Sequence, residues 1–177
     1  MGTKLLKFTV LFLLLATLTG CPGGDEDCFD MGSTARVDNL IKISPLQTTY
    51  NQGDIITFKI EIPAQNNYFG EPINIFERTN DLEATLSTSY SNLFIGNELT
   101  FIKGSQGNEV NWFNVPYNSI NGMYEFELNI KLNKIGFYSL YTNDPIHFQG
   151  STECNRYRLD TNIEGRNSEG KIEFNVQ

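Results

Sequence analysis

The chain has 177 residues with 13 Lys and Arg against 21 Asp and Glu, a formal charge of −8. An acidic chain with no basic cluster repels nucleic acid and anionic lipid, so partners of those kinds are disfavoured. The length suits one domain beyond any leader, with a core of ordinary size.

Lys4 and Lys7 precede an apolar run, Phe8 to Leu18. A run this short fits the h-region of a secretory signal, whereas a membrane-spanning helix needs about 20 apolar residues. Leu18-Thr19-Gly20-Cys21 closes the run with a branched apolar residue, two small residues and a cysteine. That tetrapeptide resembles the lipobox of bacterial lipoproteins. The resemblance implies cleavage before Cys21, acylation of that cysteine with palmitate-type chains, and a lipid anchor in the outer membrane. Residues 1–20 are then the signal peptide, and 21–36 a lipidated tether. Pro22-Gly23-Gly24 is non-helical, and Asp25-Glu26-Asp27 keeps the segment solvated. Acidic residues just after the lipid cysteine also resemble the surface-export signal of Bacteroidota lipoproteins. A plain acidic linker reads equally well, so periplasmic and cell-surface exposure both stay open. The mature chain keeps 11 of the 13 basic residues and all 21 acidic ones, a formal charge of −10.

The resemblance also reorganises the cysteines. With Cys21 lipidated, Cys28 and Cys154 remain as a pair, and export favours their oxidation to a disulfide over two free thiols. Closing a loop of about 125 residues stabilises by up to about 4–5 kcal/mol in the chain-entropy view.

From 37 to 177 the apolar period is two. Asn39 to Ile43 reads as a first strand. Ile56, Phe58, Ile60 and Ile62 alternate with polar residues and stop at Pro63. Ile73, Ile75 and Phe76 suggest a third strand. Asn80 with Glu83 fits a helix start, but Leu82, Ala84 and Leu86 alternate as a strand, the preferred reading. Leu93 to Ile95 and Leu99 to Ile102 suggest two short strands, and 109–115 an edge strand ended by Pro116. Tyr124 to Leu132 is the clearest strand. After Asn133 to Gly136, Phe137 to Thr142 is another, 143–170 reads as a long polar connection, and Ile172 to Val176 ends the chain. These elements predict an all-β antiparallel sandwich of about seven to nine strands.

Leu132-Asn133-Lys134-Ile135-Gly136-Phe137-Tyr138-Ser139-Leu140 resembles the E–F corner of immunoglobulin-like domains. The resemblance makes Tyr138 the corner tyrosine, with its hydroxyl bonded back to nearby backbone, and puts Leu140 where the usual core cysteine stands. It also brings the start of the first strand and the F–G loop to one end of the sandwich, which would bring Cys28 to Cys154.

Chemistry is sparse along the chain. His147 is the single histidine, with no nucleophile motif around it, and no catalytic constellation, cofactor motif or metal-ligand cluster appears. Asp160-Thr161-Asn162-Ile163-Glu164-Gly165 starts like a calcium loop, but Lys171 stands where a bidentate Glu is required. Trp112-Phe113 and Tyr68-Phe69 are aromatic pairs beside amides, the composition of a sugar platform; adjacent strand residues face opposite ways, so one of each pair belongs to the core. Trp112 and Tyr68 are therefore the candidate ligand-binding residues. The expected function is a non-catalytic, membrane-anchored binding or interaction module. The alternatives are a structural subunit of a cell-envelope complex and, further down, a carbohydrate-binding surface protein or an enzyme.

Overall fold

A computed structural model describes residues 33–150 and 155–177. Its organising pair is β4 (Ile55–Pro63) against β11 (Met123–Lys131), antiparallel over nine rungs. Alternation sends Ile56, Phe58, Ile60 and Ile62 inward from one strand, and Tyr124, Phe126, Leu128 and Ile130 from the other, all fully buried. Each such side chain contributes about 1.5–3 kcal/mol by leaving water. Phe58 and Phe126 meet edge to face at 6.1 Å.

Beside this pair lie β2 (Ile41–Ser44) on β4 and β8 (Glu98–Lys103) on β11, giving the order β2-β4-β11-β8. That is the A-B-E-D sheet of an immunoglobulin-like sandwich. A second sheet holds β12 (Gly136–Tyr141), β15 (Lys171–Val176) and β3 (Thr49–Tyr50), with β3 parallel to β15. Its β12–β15 pair matches F and G. Tyr138 donates its hydroxyl to the Lys134 carbonyl at 2.9 Å while its ring is buried, and Leu140 is fully buried. The corner expected from the sequence is present.

The remaining strands enlarge this frame. β1 (Thr34–Arg36), β14 (Arg156–Thr161), β13 (Asp144–Gln149), β7 (Glu83–Ser87) and β10 (Trp112–Asn118) follow one another side by side. β10 joins the two regions: Trp112 to Pro116 pair with β7, whereas Tyr117 and Asn118 pair with β11. β9 (Ser105–Gln106) continues β8 and crosses to β10 through Gly104. A Cβ on Gly104 would collide with the Asn114 carbonyl oxygen and stand 2.6 Å from the Phe126 ring, at φ +85°. Only glycine fits that bend.

Several expectations need correction. Fifteen strand segments are present among the described residues, more than seven to nine, and the sheets are mixed, because β1 runs parallel to β14 and β3 to β15. β1 starts at Thr34, inside the span read as tether. Ile73, Ile75 and Phe76 do not form a strand of their own: after β5 (Gln65–Asn66) and β6 (Ile73–Asn74), the helix α1 (Ile75–Thr79) begins. Asn74 accepts from the Glu77 amide and Asn80 closes the helix in the left-handed region, so two caps outweigh two β-branched positions. Leu93 to Ile95 belongs to the helix α2 (Ser91–Phe94) and its C-cap, whose Leu93 and Phe94 plug the core. Pro116 does not end β10; it pairs with Glu83 within the strand. The region 143–170 is chiefly a hairpin, β13 against β14, and not a polar connection.

Candidate functional site

β7, β10 and β13 each bury alternate residues. Ala84, Leu86, Phe113, Val115, Ile146 and Phe148 are all fully buried. Their neighbours in sequence therefore share the opposite, solvent-facing side. Register sets them in rows: Trp112 lies beside Ser87, and Thr85 lies between Asn114 and His147. With Glu83, Gln149 and the turn residues Gly107 and Asn108, these side chains line a groove of about 630 Å³.

The turn after β9 fixes the wall. The Gly107 amide donates to the Trp112 carbonyl at 2.8 Å, and Gln106 Nε2 donates to that carbonyl at 2.8 Å and to the Glu109 carbonyl at 2.6 Å. A Cβ on Gly107 would come within 3.0 Å of the Trp112 carbonyl oxygen, so the close approach favours glycine here too. Trp112 is 42% exposed, while Phe113 behind it is wholly core. The pair thus divides between surface and core as its spacing requires. Asn114 Nδ2 donates to Ser105 Oγ at 3.0 Å, which orients that amide beside the indole.

Among the described residues one carboxylate, Glu83, lines the groove, and no Lys or Arg does. His147 titrates below the ordinary histidine range, first because it is partly buried and then because Arg158 lies beside it, with Asp160 opposing. It is neutral at pH 7. No hydrogen bond among the described residues joins His147 to a carboxylate or a hydroxyl. A smaller hollow of about 190 Å³ lies across β13, where His147 and Gln149 adjoin Thr34, Arg156 and Arg158. The surface is polar, and among the described residues Glu83 is the one acidic side chain lining the main groove. It offers an apolar ring face flanked by amides and hydroxyls.

The other sequence candidates lie elsewhere. Tyr68 is half-buried against the core margin and does not line the groove, and Phe69 packs edge to face on Tyr157 at 5.0 Å. Asp160 is held by Arg158 at 2.7 Å, and Asn162 is buried and bonded to Asp38 and the Asn39 amide. Glu164 faces Lys42 at 3.8 Å. The oxygens that resembled a calcium loop are therefore engaged in separate directions. Among the described residues no group of three or more His, Cys, Asp or Glu is placed to hold a metal. Cys21, Cys28 and Cys154 lie outside the described residues.

Sequence reasoning missed Asp144. It is fully buried at the start of β13 and accepts from the Tyr90 hydroxyl at 3.2 Å, while its Oδ1 has no partner among the described residues. Burial pushes its carboxyl up to about 7, partly opposed by bonds from Tyr90 and the Ser89 amide. Only the alternation of Asp144 with Ile146 and Phe148 could have pointed to it.

Fold and groove together define an all-β sandwich that carries a tryptophan-bearing polar groove on its enlarged sheet. No protein family matches the chain, and no curated protein does. Among solved structures, the second Ig domain of the mouse polymeric immunoglobulin receptor is similar at 12% identity. The match covers 76% of this chain and all of that one, at a TM-score of 0.19. A likeness that slight carries no argument, and the immunoglobulin-like reading stands on strand order and the tyrosine corner.

Proposed function

We propose that this protein is a non-catalytic, lipid-anchored binding module of the outer membrane whose groove takes an uncharged, polyhydroxylated ligand. The carrying observation is Trp112, held at the groove wall with Asn108, Asn114 and Gln149 around it and, among the described residues, no Lys or Arg lining the space. A sugar ring offers an apolar face to an indole and hydroxyls to amides. Phosphate, sulfate or uronate groups would meet Glu83 on the lining, with Arg156 and Arg158 one strand further out, across β13. The neutral His147 supplies a further hydrogen-bonding nitrogen.

The anchor rests on the lipobox at Leu18 to Cys21, and it leaves the protein facing the periplasm or the outside. The Cys28–Cys154 disulfide draws support from the parallel register of β1 on β14, which continues to the Arg158 amide donating to the Ser33 carbonyl at 3.0 Å. Cys28 precedes Ser33 by five residues and Cys154 directly precedes Asn155, so each cysteine stands a short way upstream in the sequence of one of these two parallel strands.

Calorimetry with neutral gluco-, xylo- and manno-oligosaccharides tests the groove. Wild type binds at least one, and Trp112→Ala abolishes the heat while leaving stability within about 0.5 kcal/mol, as at an exposed site. No heat with any neutral glycan, or heat with acidic glycans alone, overturns the reading. For the anchor, metabolic palmitate labelling is expected in wild type and absent in Cys21→Ala. A second reading, a structural envelope subunit, is favoured by one observation: the open edge of β12.

A further inference from the structure

In an immunoglobulin-like sandwich, strand C pairs with strand F and closes its outer side. Here the strand in that position, β7, pairs with β13 instead, through Ile146–Leu86 and His147–Thr85. It ends at Ser87, and the chain then turns into α2, which inserts Leu93 and Phe94 into the core. Consequently β12 has β15 as its one strand partner among the described residues.

Parity says which backbone groups are left outside. The Thr142 amide donates to the Gly170 carbonyl, continuing the β12–β15 ladder. In an antiparallel ladder bonding direction alternates, so residues 136, 138 and 140 face β15, whereas Phe137, Ser139 and Tyr141 face away. Ser89 Oγ donating to the Tyr141 carbonyl at 2.7 Å lies on that outer side, as the alternation demands. The amides and carbonyls of Phe137 and Ser139 have no backbone partner among the described residues. Phe137 is 67% and Tyr141 59% exposed. Residues 135–141, Ile-Gly-Phe-Tyr-Ser-Leu-Tyr, contain no charge and no proline. Natural edge strands are normally blunted by those two devices or by a cover.

We infer that β12 is an interface for a second copy of this chain, pairing antiparallel with its own counterpart about a two-fold axis through Ser139. The occupant follows from self-complementarity. A two-fold at Ser139 sets Phe137 opposite Tyr141 of the other copy, twice, with Ser139 facing Ser139 between them. Aromatic cross-strand pairs are among the stabilising ones. The three outward residues all lie in bonding positions; the Phe137 and Ser139 groups pair directly, and the Tyr141 carbonyl accepts from the other copy's Phe137 amide through the lone pair that Ser89 Oγ leaves, or in its place. Acidity does not oppose the contact. Glu173 on β15 would stand three strand spacings, about 14 Å, from its equivalent, beyond the screening length of about 8–10 Å. The result is one six-stranded sheet, β3-β15-β12 with its two-fold image.

The test is oxidative crosslinking of the full chain in detergent. At the axis the two Ser139 Cα atoms would lie about 5.5 Å apart, within disulfide reach. Ser139→Cys is expected to give at least ten times more disulfide-linked dimer than Asn175→Cys, an exposed β15 site, after subtracting the wild-type background from its own cysteines. Adding Phe137→Lys and Tyr141→Lys, which set like charges opposite one another, should remove that dimer at least tenfold. Three results would overturn the inference: Ser139→Cys no more dimeric than Asn175→Cys, an adduct with a different protein, or a dimer that survives the two lysines. Saccharide binding by the groove is unaffected by all of these variants.

Discussion

Residues 136–141 and 144–149 form two halves of nearly one strand, and their surroundings differ sharply. β13 has a partner on each side and lines one side of the groove with His147 and Gln149. Among the described residues β12 has one strand partner, and its other flank meets no strand, with Ser89 bonded to the Tyr141 carbonyl and α2 beside it. The two are alike in alternation and in burying every second residue, so intrinsic strand preference does not separate them. What separates them is supply. β7 ends after covering β13, and residues 162–170 leave the ladder between β14 and β15, so that each half of the returning strand serves one half of the outgoing one. A groove wall and a strand edge without a strand partner can thus be cut from one strand by choosing where its neighbours stop.

Three substitutions probe that contrast. The largest effect is expected at Gly104, which lets β8 continue as β9 behind the groove wall. Gly104→Ala combines an unfavourable φ with a clash against backbone and should cost about 2–5 kcal/mol in denaturant titration. It should also weaken saccharide binding while leaving β12 crosslinking intact in whatever fraction remains folded.

Asp144 sits at the joint between the halves. Its carboxyl holds a proton up to about pH 7 in the folded chain, whereas an unfolded Asp releases it near pH 4. The folded state therefore binds the extra proton between those values. The associated stability is fully present below about pH 4 and is lost as pH rises through 7, by at most about 4 kcal/mol. Asp144→Asn should flatten this slope in melts taken from pH 4 to pH 8. An unchanged slope would place the pH dependence elsewhere.

Tyr138→Phe removes the corner hydrogen bond but keeps the ring stacked on Phe174 at 4.9 Å. A loss of about 0.5–1.5 kcal/mol is expected, confined to the β12 half, with the groove's affinity unchanged.

Much of the frame was legible because its signals are local. Ile56 to Ile62 and Tyr124 to Ile130 alternate without interruption, and the Gly136–Tyr138–Leu140 spacing marks a corner that the Tyr138 hydroxyl completes. What stayed hidden depends on neighbours distant in sequence. Nothing near Asn143 announces that β12 will become β13 with new partners. Leu93 and Phe94 are apolar enough for either a strand or a core-plugging helix turn, and the packing of Phe94 on Phe58 and Phe113 decides it. Pro116 looks like a stop until its partner at Glu83 is known. Trp112 was legible as a candidate through its pairing with Phe113. Tyr68 was not separable from it, because only register shows which aromatic faces a groove.

The parallel placement of β1 on β14 has a mechanical consequence. A pull on the amino-terminal end of β1, directed back along the strand, runs across the hydrogen bonds that tie Thr34–Arg36 to Arg158–Asp160. Those bonds then bear the force together in shear and do not open one at a time, as they would if the strand were peeled from its far end. Two strands further in lies His147, so tension entering at the first strand reaches the groove through a single sheet.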